Sequence, residues 1–333
     1  MKLQNVVGAL VILCATAQNT RAQEMTDEMA DDTSSTRSAE SAAGSDWITL
    51  RLNLKPGSRY RMTTDSDMKM TIITAANKTC PAEKVVMLNT SRQNLDYSIL
   101  FNNPDGTTQV RITYGDMTTG GKMTQNGKTL PSPPQTLSMS GQSVEMKMAP
   151  NGKVSDVRGM EKVFDRAFDT SKMTGMTPKM RREMRDNMKK MFGKTFTEGL
   201  ERQTDMSFPE NPLRLGDSWS QRLNLNLGFF DAVLNSRRTL QSRAANLLSI
   251  GETGTLSMDT AKGATGFGGV KLKMAMNGSY NGTTILDANT GFMRSSSTSM
   301  GFGGHASGGT KERQTAMRLY MKSTARVNVT KLR

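Results

Sequence analysis

Apolar and polar residues alternate with period two along most of the chain. In residues 48–55, Ile48, Leu50, Leu52 and Leu54 interleave with Thr49, Arg51, Asn53 and Lys55, the pattern of an extended strand with one buried and one wet face. The final segment repeats it, with Met317, Leu319, Met321, Ala325, Val327 and Val329 set against Arg318, Lys322, Arg326 and Asn328. The same signal recurs at Met68, Met70, Ile72; at Leu95, Tyr97, Ile99, Phe101; and at Val110, Ile112, Tyr114. It returns at Val144, Met146, Met148; at Leu223, Leu225, Leu227; and at Leu272, Met274, Met276. Between these runs lie Asn-Pro-Asp-Gly at 103–106 and Asn-Gly pairs at 126, 151, 277 and 281, which are turn and hairpin chemistry. So many short strands predict an antiparallel sheet that must curl or fold back on itself.

One region changes period. From Gly159 to about Gly199, Met160, Val163, Phe164, Ala167 and Phe168 fall on one helical face; Thr177 then caps, and Pro178 occupies the first turn of, a second helix. That helix carries Met180, Met184, Met188 and Met191 on a narrow arc with Phe192 at its margin, while Lys179, Arg182, Lys189 and Lys190 supply charge. The strand sets on either side look alike. LNLKPGSRYRM (52–62) matches NPLRLGDSWSQRL (211–223), and MKMAPNGKVSDVRGM (146–160) matches ILDANTGFMRSSSTSM (285–300). The expected fold is β-rich α+β: a curved antiparallel sheet or half-barrel made of two strand sets and covered by a helical insert at about 160–199.

The N-terminus predicts export. Lys2 precedes an apolar run from Val6 to Ala17, and Thr20-Arg21-Ala22 offers small residues where a signal peptidase reads, so cleavage is expected after Ala22. The run is shorter than the ~20 residues of a membrane span, and no later segment is apolar enough for one. Cys14 offers an alternative lipid anchor, although Leu13 and its neighbours are bulkier than such signals require. With Cys14 removed, Cys80 is the only cysteine, which leaves no internal disulfide. Residues 23–46 hold seven acids, one Arg and almost no large apolar groups, the composition of a disordered linker ahead of a single domain at 47–333.

Charge narrows the partners. The chain has 44 Lys and Arg against 30 Asp and Glu, and residues 47–333 keep 41 bases against 23 acids. Such a surface is drawn to anionic lipid headgroups and envelope polymers. Nucleic acid is not expected, because aromatics are 5% of the residues and no basic run is interleaved with stacking side chains.

A set of turn motifs carries a resemblance. Leu52, Leu54, Gly57 and Tyr60 form Leu-x-Leu-x-x-Gly-x-x-Tyr; residues 151–159 read Asn-Gly-Lys-Val-x-x-Val-x-Gly; Gly-Asp-Ser-Trp stands at 216–219; and Asp-x-x-Thr-Gly stands at 287–291. Over about residues 48–331 this resembles a family of exported bacterial proteins of unknown function. The resemblance implies an envelope location and a β-rich fold like the curved sheets of lipoprotein carriers. It implies no activity.

Catalytic constellations are hard to find. His305 is the sole histidine and lies in GFGGHASGG, read as a flexible loop, so zinc sites of several His or Cys are excluded within one mature chain. Gly304 to Gly308 lacks the Gly-x-Ser-x-Gly spacing that would make Ser307 a nucleophile. Gly115 to Lys122 misses the phosphate-loop spacing and is expected between strands, and Gly266 to Gly269 lacks the third glycine position of a dinucleotide site. A carboxylate-based glycan hydrolase needs two suitably spaced acids. Glu161 and Asp165 are flanked by Lys162 and Arg166 as in surface pairing, while Asp217 and Asp287 read as turn formers. The chain is therefore expected to be no enzyme and to carry no cofactor.

The remaining feature is 27 methionines. Methionine fills irregular gaps, so a Met-rich helix lying over a Met-rich sheet accounts for the pattern as core packing. The same surface repacks around acyl chains or amphipathic partners. Thioether clusters also suit Cu(I), and Met173, Met176 and Met180 stand near the second helix start without a His or Cys. The functional expectation is a non-catalytic envelope protein binding a lipid or other amphiphile between sheet and helix. The alternative is a structural or protein-interaction module with a Met-rich core.

Overall fold

The computed structural model describes residues 47–75, 81–130, 135–137, 139–167, 208–226, 230–260, 271–310 and 313–333. Seven strands precede residue 160: β1 (Arg59–Thr74), β2 (Glu83–Asn102), β3 (Thr108–Gln125), β4 (Lys128–Leu130), β5 (Gln135–Leu137), β6 (Ser143–Met148) and β7 (Val154–Arg158). Six follow residue 217: β8 (Ser218–Asn226), β9 (Phe230–Ala244), β10 (Leu247–Thr260), β11 (Lys271–Asp287), β12 (Met293–Thr310) and β13 (Arg313–Leu332). Together they make one 13-stranded sheet in the order β7-β6-β3-β2-β1-β13-β12-β11-β10-β9-β8, with β4 and β5 pairing the upper part of β3. Every pairing is antiparallel.

The two strand sets are thus halves of a single sheet. They join where β1 meets β13, in register from Arg59↔Leu332 at the lower end to Thr74↔Met317 at the upper end. The predicted alternation is present on both strands: β1 buries Tyr60, Met62, Thr64, Ser66, Met68, Met70, Ile72 and Thr74 in unbroken sequence, and Leu319, Met321, Ala325 and Val327 are buried on β13. Asn103 to Gly106 and Asn126-Gly127 form the turns their sequences predict, with Gly106 and Gly127 at positive φ.

The sheet curls. Flat neighbouring strands lie about 4.8 Å apart, so β2 and β12 would be separated by about three such steps. Phe292, just before β12, nevertheless packs its ring 4.6 Å from Tyr60 on β1 and 5.8 Å from Tyr97 on β2. One core cluster accordingly contains Ile99, Val110 and Val144 from one half and Leu240, Ile250 and Leu286 from the other. It fills the lower end of the curled sheet.

Several expectations are corrected. Residues 48–55 alternate as predicted but join no ladder beyond an isolated bridge from Ile48 to Leu213. Instead Leu50, Leu52 and Leu54 are buried in the lower core, so the segment is a plug rather than a strand. The Asn-Gly pairs at 277 and 281 lie inside β11 and make no turn. His305 lies within β12 and Gly115 to Lys122 within β3, neither in a connecting loop. Phe101, predicted inward, is 52% exposed because the β2–β3 register shifts between Ile99 and Phe101 and a bulge re-aims the side chain.

The helical layer is the largest correction. Among the described residues the only helix is α1 (Met160–Ala167), eight residues long, with Glu161 in its first turn and Arg166 in its last, an order that suits the helix dipole. Met160 and Val163 are buried in the lower core, so α1 covers one corner of the sheet, and the described residues show no helical layer across it. The second predicted helix, with Met180, Met184, Met188, Met191 and Phe192, lies outside the described residues, as do Phe168, Met173, Met176 and Cys80.

Candidate functional site

The inner face changes character with height. Above the filled lower core, two consecutive cross-strand rows are largely polar. One runs Ser91, Ser66, Ala325, Thr298, Gly282, Glu252, Arg238 and Trp219; the next lower runs Gln93, Thr64, Val327, Ser296 and Thr284. Some hydroxyls there find partners across strands: Ser66 Oγ lies 2.6 Å from Ser91 Oγ, and Thr284 Oγ1 lies 3.1 Å from Ser296 Oγ, while the buried Thr64 Oγ1 has no hydrogen-bond partner among the described residues.

The charged part of this belt is compact. Arg238 Nε lies 3.4 Å from Glu252 Oε1, with side-chain exposures of 11% and 15%, and Tyr280 donates its hydroxyl to the same oxygen at 2.9 Å. A charge pair so placed loses hydration and is held by its mutual attraction and hydrogen bonds. Tyr280 reaches Glu252 because Gly254 stands beside it: a Cβ at Gly254 would run into the Tyr280 ring and the Asn235 carbonyl. Trp219 presents its buried indole nitrogen to the same end of the row without a hydrogen-bond partner among the described residues.

Above the belt lies a methionine layer. Met123, Met87, Met70 and Met321 are consecutive cross-strand partners on β3, β2, β1 and β13, and Phe302 on β12 extends the row. Directly opposed side chains stand about 5 Å apart at Cβ, so these four thioethers make a continuous surface. Met274, Met276 and Met258 continue it on β11 and β10, with Ile72, Val85 and Leu319 between. This cluster is separate from the lower core, and the polar belt divides them.

Little in the predicted site can be compared with this arrangement. Met180, Met184, Met188, Met191 and Phe192, and the basic Lys179, Arg182, Lys189 and Lys190, lie outside the described residues. Of the acids that resemble catalytic groups, Asp217 and Asp287 are turn elements, as the sequence predicts, and Glu161 lies on α1. Asp217 accepts the Arg214 amide at 2.7 Å; Asp287 accepts from the Asn289 and Thr290 amides at 3.1 and 3.0 Å and from Arg294 Nη2 at 2.6 Å. His305 is exposed on the outer face opposite Arg318. The belt itself escaped sequence reasoning, although its phase was legible: Leu234, Ser236, Arg238 and Leu240 share one parity, as do Leu248, Ile250 and Glu252.

A second concavity lies on the other side of the sheet. A groove of about 740 Å³ on the outer face is lined by Arg237, Thr239, Asn281, Thr283, Ser297 and Asn328, among others. It shares no part of the methionine layer.

The sequence pattern of a family of unknown function (DUF6263) matches residues 105–293, more than half of the chain. The chain belongs to that family. The matched stretch of DUF6263 runs from the β2–β3 turn to the start of β12, and so includes Arg238, Glu252 and Tyr280 but not β1 or β13. No curated protein matches the sequence. Among solved structures, a lipovitellin described by its lipid–protein interactions is similar at 10% identity and a TM-score of 0.38, over 82% of this chain and 25% of that one. The chain thus spans about a quarter of lipovitellin. The COG4313 outer membrane channel of Pseudomonas putida F1 is similar at 9% identity and TM-score 0.23, over 87% of this chain and 100% of that one. OprG of Pseudomonas aeruginosa is similar at 7% identity and TM-score 0.24, over 83% and 97%. Likenesses this slight say nothing of activity. No helix among the described residues is long and apolar enough to cross a membrane.

Proposed function

We propose that this DUF6263 protein is an exported, non-catalytic binder of an amphiphile, held on the inner face of the curled sheet. The supporting observation is the succession, up the inner face, of the Arg238–Glu252–Tyr280 belt, the mixed row of Asn89, Met68, Ser323 and Met300, and the Met123–Met87–Met70–Met321 row. Such a succession gives an amphiphile a polar end and an apolar end at fixed heights. Methionine suits the apolar end because its unbranched thioether repacks around chains of differing shape.

Export follows from the N-terminal pattern, with cleavage expected after Ala22 and Cys14 as the alternative lipid anchor. N-terminal sequencing of the mature protein should begin at Gln23.

Native mass spectrometry of protein purified without detergent is the direct test of binding, joined to titration with a fluorescent fatty acid. Co-purifying lipid or saturable uptake is expected. Absence of both would leave a second reading, a structural or interaction module whose methionines are core. One observation favours that alternative: Met68, Met70, Met87, Met274, Met276 and Met321 are already only 2–8% exposed.

A further inference from the structure

The outer faces of β1, β2, β3 and β13 differ in charge between their two ends. In the lower half Arg61, Arg111 and Arg92 are matched. Arg61 forks onto Asp96 at 2.7 and 2.8 Å, Arg111 meets Glu145 at 2.7 Å, and Arg92 lies 3.5 Å from Asp65. The Arg61 fork holds the Asp96 carboxyl below its usual range.

In the upper half, five bases pair with no acid among the described residues. Lys322 on β13 is the direct cross-strand partner of Lys69 on β1, Lys69 of Leu88 on β2, and Leu88 of Lys122 on β3. Two rows higher, Arg318, Ile73 and Lys84 are likewise consecutive partners. None of Lys69, Lys84, Lys122, Arg318 and Lys322 makes an ion pair with a described residue, and all five are exposed. The acid beside them is Asp67, one row below Lys69. Like charges set directly opposite each other destabilise a sheet, so the Lys69–Lys322 pair opposes folding.

Apolar groups are exposed among these bases. Tyr320 is 49% exposed, Leu88 46% and Ile73 37%. A Cβ at Gly303 would come within 3.1 Å of the Tyr320 ring, so the ring lies across the glycine and presents an aromatic face at the surface. Interleaved bases, aliphatics and a tyrosine on one surface match the boundary of a bilayer, where aromatic rings sit at headgroup level and Lys and Arg contact phosphates. A free polyanion would satisfy the bases and leave Tyr320, Leu88 and Ile73 in water.

We infer that this patch on the outer faces of β13, β1, β2 and β3 docks the protein onto an anionic lipid surface. Docking supplies the missing counter-charge to Lys69 and Lys322 and removes the three apolar groups from water. The inference does not require a ligand on the inner face.

Flotation of the full mature chain with phosphatidylglycerol-containing vesicles, against pure phosphatidylcholine vesicles, tests it. Binding to the first and not the second is expected, fading as salt shortens the Debye length from about 10 Å at 0.1 M. Lys69→Glu places an acid opposite Lys322, so its melting temperature should equal or exceed that of the wild type while vesicle affinity falls at least about tenfold. Tyr320→Ser changes no charge and should also weaken vesicle binding, but leave retention on heparin as it was. Equal binding to both vesicle types, undiminished binding by Lys69→Glu, or a Tyr320→Ser variant that floats like the wild type would each overturn the proposal; the last would mark a polyanion site. Uptake of a fluorescent fatty acid by Lys69→Glu reports on the inner face alone and separates the two readings.

Discussion

Leu52 donates its amide to the Pro150 carbonyl at 2.6 Å, and this bond ties the N-terminal plug to the β6–β7 turn of one half-sheet. The next residue, Asn53, donates to Thr290 at 2.8 Å in the β11–β12 turn of the other half. Two adjacent amides therefore hold together turns from strand sets that also meet at the β1–β13 ladder and through Phe292 against Tyr60 and Tyr97. The short resemblance between 146–160 and 285–300 has a structural counterpart here, since both are strand–turn–strand units whose turns receive the same segment.

The plug should accordingly be energetically central. Leu54 is 3% exposed in the lower core, and a buried Leu→Ala change costs roughly 2–5 kcal/mol. Leu54→Ala is expected to fall in that range by urea unfolding. A loss under about 0.5 kcal/mol would mean that the segment only decorates the core.

Acid sensitivity should trace to Asp287. Burial by itself would raise this carboxyl, but Arg294 and the Thr290 amide and hydroxyl outweigh it and hold the value below the ordinary one. A depressed folded value stabilises the protein above the unfolded pKa of about 3.9, and that stability disappears as pH falls through the folded value. Asp287→Asn should lower stability at neutral pH by about 2 kcal/mol and flatten the dependence of stability on pH below about 4. Parallel acid limbs in the two proteins would refute this assignment.

Strand phase was legible because a one-sided sheet permits few other patterns: Met68, Met70 and Ile72 on β1 and Leu319 and Met321 on β13 fall on the predicted side. Local chemistry misled where tertiary contact decides. Asn277-Gly278 reads as a hairpin turn, yet a Cβ at Gly278 would meet Phe302 on β12, and the glycine is there to let that side chain cross mid-strand. Residues 48–55 carry a strand's alternation, but alternation reports a buried face and not a ladder. The belt was hidden for a related reason, since Arg238 and Glu252 interrupt the apolar series that defines an inner face.

The belt makes its own prediction. Removing one partner of a buried ion pair leaves an uncompensated charge and costs roughly 3–5 kcal/mol. Arg238→Leu should approach that loss, and adding Glu252→Gln should recover part of it, because the second change removes the stranded charge. A double-mutant cycle from denaturant unfolding measures the coupling. Strict additivity would show that Arg238 and Glu252 act independently despite their 3.4 Å separation.

The methionine row decides between the two functional readings. Met70 and Met321 are direct cross-strand partners, 2% and 4% exposed. As simple core, each loses roughly 2–5 kcal/mol on truncation to Ala, with no effect on any added amphiphile. As a ligand surface, their truncation should cost less in the emptied protein and weaken fatty-acid uptake at the same time. The sharper discriminator is Met70→Leu. This swap conserves volume and normally costs under about 1.5 kcal/mol, but exchanges an adaptable thioether for a branched chain with fewer packing solutions. Near-wild-type stability with reduced uptake of long-chain probes is expected if amphiphiles lie on this row. Wild-type uptake by both Met70→Leu and the Met70→Ala/Met321→Ala protein would place any bound amphiphile elsewhere and return the row to packing.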